Sequence, residues 1–249
     1  MTITNKTENP GARPFVHKNI AGETPTVFDC RAYERVEQLP VGVVLSPKKA
    51  GMLAIYSVLV EVVAKSIDLN SLVESGRPNV REFGFEKIAL GAHKFETDAS
   101  YPNATIAMSS ELNYDEEYVG NQLDMPDRFC DVFAPGTQLI GLTSATGLFD
   151  VRTELAKEED QSAVHSALVR AFKREPATML PNRRVMVPQY FDRLVRMELK
   201  NIDDRVDGSE AQEGRWQVTA TLELEIPVVD LVLAQPELDV AIQTSVTDD

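Results

Sequence analysis

The sequence predicts an α+β fold: a mostly antiparallel sheet with a long β-hairpin, packed by one amphipathic helix and one largely buried helix, behind an extended N-terminal arm. Three observations predict it. Val195, Met197 and Leu199 alternate with Arg196, Glu198 and Lys200, while Val218, Ala220, Leu222, Leu224 and Ile226 alternate with Thr219, Thr221, Glu223 and Glu225. Two runs with matched period-2 alternation describe a hairpin with one buried and one wet face. Residues 158–174 carry Ala163, Val164, Ala167, Leu168, Ala171 and Phe172 at helical spacing, with acids at the start and Lys173-Arg174 at the end, as the helix dipole favours. The run after Pro47 is apolar on most sides, the mark of a buried helix.

Taken in order, residues 1–26 lack apolar periodicity and contain Pro10, Pro14 and Pro25, which reads as an extended arm. Residues 27–249 then read as one α+β domain, with a possible division near 135. An extended stretch to Leu45 is broken at Pro40 and Gly42. Ser46 can cap a helix that Pro47 opens, and the pattern predicts that helix over 47–67. A short helical turn is expected within 68–76, ended by Gly76 and Pro78. Strands are expected over 82–90 and 105–112, with a loop between them. From Gln138 the chain reads as strand, with Phe149, Val151 and Leu155 alternating against Asp150, Arg152 and Glu154. The amphipathic helix, the hairpin and a last strand over 238–246 complete the order.

The chain has 249 residues, with 39 acids against 25 Lys and Arg, for a net charge of −14. That excludes a general nucleic-acid binder, which needs a basic face to displace counterions. No run reaches the roughly 20 apolar residues that span a bilayer, so no membrane partner is expected. The opening MTITNKTENP has no apolar core and does not read as a signal peptide. Most of the excess acid sits in two stretches that read as loops. Residues 111–131 include Asp115, Glu116 and Glu117; residues 201–213 include Asp203, Asp204, Asp207, Glu210 and Glu213. These eight acids are the candidate channel or interface residues.

Chemistry is sparse. The three histidines are scattered, and His165 lacks a second histidine one turn on, so no metal site is expected. Asp203, Asp204 and Asp207 lack the calcium-loop spacing and its distal Glu. Cys30 and Cys130 sit in no CxxC and read as small core hydrophobes. Gly-rich phosphate loops are absent, and Gly141-Leu142-Thr143-Ser144-Ala145 is not a nucleophile elbow. Arg183-Arg184 read as solvated, and Trp216 as a sheet-rim packing residue. No cofactor and no catalytic residue is expected.

The layout over residues 138–246 resembles small virion proteins of tailed bacteriophages, in the neck and tail-terminator group. The carrying pattern is a strand (GLFDVRTEL), a helix opening with acids (KEEDQSAVHSALVRAF), a strand start containing Pro (RRVMVPQYFDRLVRMEL), a polar tip, and a long return strand (WQVTATLELEIPVV). A short strand (ELDVAIQTSV) closes it. The resemblance covers less than half the chain. It implies a non-enzymatic subunit that forms a ring, commonly sixfold, with neighbouring proteins of the tail tube, sheath or neck. It implies assembly in the host cytoplasm into the virion, and DNA only as a passing polymer. It also implies a negative channel wall, which gives the acidic loops a use. Other readings stay open: a baseplate or capsid-associated protein, a cytoplasmic enzyme built on scattered carboxylates, and a binding or adaptor module.

Overall fold

Helix α1 (Pro47–Leu59) starts at Ser46, whose hydroxyl accepts the Lys49 amide at 3.5 Å. Ala50 through Tyr56, Val58 and Leu59 are buried, so the helix is enclosed on most sides. The structure, a computed structural model, describes residues 26–29, 44–68, 76–91, 102–116, 120–133, 135–173, 183–204 and 216–233. The expected helix over 47–67 is shorter than its apolar run. After Val60 the chain straightens, and Ala64–Asp68 forms β2, paired antiparallel with β3 (Asn79–Phe83). The β-branched residues Val60, Val62 and Val63 favour that exit from the helix, and the ladder with β3 takes up the backbone groups.

The expected strand over 82–90 is two strands in two sheets. Gly84 lies against the Val62 carbonyl, where an added Cβ would come within 3.3 Å. The chain turns there, leaves the two-stranded sheet and enters the main one as β4 (Lys87–Leu90). The strand expected over 105–112 spans Asn103–Met108 (β5). The stretch 111–131 is not simply loop: β6 (Asn113–Tyr114) and β7 (Asn121–Leu123) pair with β8 (Gln138–Leu155), and α2 (Asp127–Cys130) follows. Phe129 takes the core position in α2, while Cys130, expected inside, is exposed.

Helix α3 (Glu159–Phe172) buries Val164, Ala167, Leu168 and Phe172, the face its apolar spacing predicts. Asp160 is buried with them and accepts both oxygens' worth of bonding from the Arg81 guanidinium on β3. That pair ties the small sheet to α3. At the other end of α3, Arg183 donates to the Ala171 carbonyl at 2.5 Å. The expectation that Arg183 is solvated is therefore wrong: the last turn of a helix leaves carbonyls without amide partners, and a guanidinium satisfies one.

The main sheet follows the order β1 (Thr26–Asp29), β4, β5, β8, β11 (Trp216–Val232), β10 (Arg193–Asp203), β9 (Arg183–Val187), with β6 and β7 beside β8. The β4–β5 pair is parallel and the other described pairs are antiparallel, so the sheet is mixed. β8 and β11 run together from Leu155–Trp216 at one end to Gln138–Val232 at the other. The inner face carries Phe149, Val151, Leu222, Leu224 and Met197 against α1 and α3. The outer face of the β10–β11 hairpin carries paired charges, Arg196 with Glu225 at 2.9 Å and Lys200 with Glu223 at 2.9 Å. The expected last strand over 238–246, the arm up to residue 25 and residues 69–75 lie outside the described residues.

One edge of β11 is closed by side chains. β10 pairs with β11 up to Arg196–Glu225 and no further. Next along the edge comes Pro227, which has no N–H to offer. The buried Tyr190 hydroxyl donates to the Pro227 carbonyl at 2.7 Å and accepts the Val229 amide at 3.3 Å. The Leu231 amide donates to the Asp230 carboxylate at 2.8 Å. Burial pushes the Tyr190 phenol up to about 12.

Candidate functional site

The described candidate acids, Asp115, Glu116, Asp203 and Asp204, fall in two places, and the register of the sheet separates them. Asp203 ends β10 opposite Thr219, which pairs with Arg152 on β8. Asp115 lies beside Ser144 on the same β8, its amide donating to the Ser144 carbonyl at 3.0 Å. Ser144 and Arg152 are eight residues apart on one strand, a span of about 27 Å. Asp115 and Asp203 therefore sit well apart along the β8–β11 ribbon.

At the hairpin end, α3 holds the root of the tip. The Gln161 side-chain amide donates to the Asp204 carbonyl at 3.2 Å and to the Gln217 carbonyl at 2.9 Å, bridging β10 to β11. His165 Nδ1 lies 3.3 Å from the Asp204 carboxylate. Asp203 and Asp204 are exposed, while Asp207, Glu210 and Glu213 lie outside the described residues. Gln161 and His165 of α3 thus hold Asp204 and Gln217 together at the end of the described hairpin. His165, which reads as no ligand in the sequence, is a half-buried neighbour of this root.

At the other end, the Ser144 hydroxyl donates to the Asp115 carboxylate, and the Thr143 hydroxyl donates to the Asp115 carbonyl at 3.0 Å. Asp115 and Glu116 line an open cleft of about 560 Å³ with Asn121, Leu123, Leu142 and Thr143. Glu116 is exposed, and Glu117 lies outside the described residues. A second cleft, about 480 Å³, opens between the small sheet and α3, lined by Phe83, Phe85, Leu155 and Lys157 beside the Arg81–Asp160 pair. On the outer face, hydrogen bonds from Lys200 to Glu223 and Glu198 hold its ammonium above the usual lysine range.

Sequence reasoning finds the acids but misses what holds them. Gln161, Ser144 and Arg81 carry no motif, because each acts through a partner distant in the chain. Among the described residues no group of three or more His, Cys, Asp or Glu is placed to hold a metal ion. No helix among them is long and apolar enough to cross a membrane. Compared with known proteins, the chain matches no family model and no curated sequence.

Proposed function

We propose that the chain is a non-enzymatic structural subunit of a tailed-phage virion, forming a ring at the neck or tail end in a tail-terminator or head–tail joining role. The observation that carries this reading is the element order of the C-terminal half. A long strand (β8) leads into an amphipathic helix (α3), then into a short strand and a long polar-faced hairpin (β9 to β11). That is the layout on which the resemblance to the neck and tail-terminator group rests. The acids are the second support. A carboxylate-lined channel repels phosphates by a few kcal/mol per close pair at low effective dielectric, less once salt screens it. DNA then slides through without sticking.

Asp115 and Asp203 stand about 27 Å apart along the strands, so the two acidic stretches are given separate roles. We assign the channel to the hairpin tip, with Asp203, Asp204, Asp207, Glu210 and Glu213, and the edge to Asp115, Glu116 and Glu117. The purified chain is expected to form a ring, read by light scattering after size exclusion and by negative-stain images. A monomer under all conditions, including with its neighbouring virion proteins, sinks the reading. Neutralising Asp203, Asp204 and Asp207 together to Asn is expected to leave ring assembly intact and to slow DNA passage. Particles that eject DNA at the wild-type rate would remove the channel assignment.

A further inference from the structure

Two edges of the main sheet that are unpaired among the described residues stand on one row. Asn113 on β6 pairs with Thr146 on β8, which pairs with Glu225 on β11, then Arg196 on β10, then Arg184 on β9. At this level the sheet is five strands wide, and among the described residues nothing pairs beyond β6 or beyond β9. β6 and β9 both run antiparallel to their neighbours, and tracing the pairings across the row shows that they point the same way.

The two edges differ in charge. On the β9 side Arg184 is exposed and makes no ion pair among the described residues. It stands beside Met186 and Leu194, a cross-strand pair exposed at 54% and 52%. On the β6 side the chain continues into Asp115 and the exposed Glu116. Asp115 bonds Ser144, which points to the same outer face as Thr146 and hence as Arg184. β11, by contrast, has its distal edge closed by Pro227, Tyr190 and Asp230, so strand addition there is blocked.

We propose that the β9 edge of one copy joins the β6 edge of the next, Arg184 facing Asp115 and Glu116, so that the sheet continues from copy to copy. The occupant of each edge is thus a second copy of this chain. The contact is head-to-tail, and in a ring whose axis follows the strands it is a parallel junction, since β6 and β9 point the same way. A head-to-tail contact of this kind closes into a ring when its rotation closes. β6 is only two residues long, so the main-chain pairing is short and the charges set the register. This inference rests on the ring reading and names its interface.

The experiment is a charge swap at low ionic strength, read by light scattering after size exclusion, with circular dichroism and thermal midpoints checking the fold. R184E makes both edges acidic; D115K/E116K makes both edges basic. Each variant alone is expected to associate at least roughly tenfold more weakly than wild type. Their equimolar mixture is expected to recover the wild-type mass, because acidic and basic edges alternate around the ring. E116K alone, which leaves the Asp115–Ser144 contact in place, is the milder partner should D115K unfold. If wild type forms a ring and the variants do too, the ring reading stands and this interface is overturned. If folded variants fail to assemble and fail to complement, the interface is overturned as well. If wild type never assembles, both fall.

Discussion

Replacing Phe149 by Ala is expected to lower stability by about 3–5 kcal/mol. Phe149 is fully buried at the centre of β8, between Met108 on β5 and Leu222 on β11. Its ring lies under Gly51 of α1, where an added Cβ would meet Phe149 Cζ at 2.9 Å and Ile226 Cδ1 at 2.8 Å. Helix and sheet are therefore in close contact at this point, and the cavity has little room to collapse. Urea unfolding measures the loss. A companion substitution gives the same geometry a second test. Gly51→Ala alone overpacks the contact and is expected to cost about 1–3 kcal/mol, partly offset by alanine's better helix propensity. In the Phe149→Ala background the same change fills part of the cavity and is expected to cost less or to stabilise. Additive effects would show that the two residues do not meet.

The second large effect is expected at Tyr190. Tyr190→Phe keeps the ring and removes one oxygen, leaving the Pro227 carbonyl and the Val229 amide without that partner. The expected loss is about 1–3 kcal/mol. The pH dependence has a definite sign. Burial holds the folded phenol up at about 12, against an ordinary value of 10.0. Its contribution is complete below pH 10 and is lost as pH rises through 12, by about 2–3 kcal/mol in all. Unfolding measured from pH 9 to 12 is therefore expected to fall more steeply for wild type than for Tyr190→Phe. Parallel curves would mean that the hydroxyl is not held as described. The variant also frees an amide on an edge that wild type keeps closed, and it is expected to aggregate more readily after partial unfolding.

What the sequence makes legible follows the strength of the local pattern. Helix α3 and strand β11 carry long, unbroken periodicities, and both stand where those periods place them. The end of α1 is not legible, since Val60, Val62 and Val63 suit a buried helix or an extended exit equally well. Pairing of Ala64–Asp68 with β3 decides it, and that partner lies beyond the local window. β6 and β7 are two and three residues of polar chain, and they are strands only because β8 lies beside them. The candidate acids are visible by composition. The separation of Asp115 from Asp203 along the ribbon is not, because it depends on which residue of β8 each stands beside. Asp115 and Asp203 look alike in the sequence, and only the register tells them apart. The turn before β10 is similar. Phe191 and Asp192 adopt φ of 50° and 55°, which no Gly or Asn announces. Burial of Phe191 against Phe129, with ring centroids 5.0 Å apart, holds it there, and Arg128 pairs with Asp192.

β8 is one strand of 18 residues that belongs to two neighbourhoods, β5 on one half of its edge and β6 and β7 on the other. At about 3.4 Å per residue it is a beam about 60 Å long, riveted along its whole length to β11. A pull along such a beam loads its hydrogen bonds in shear, all together, whereas a sideways pull would open them one at a time. The β8–β11 ribbon is thus expected to resist a pull along its strands far better than one across them.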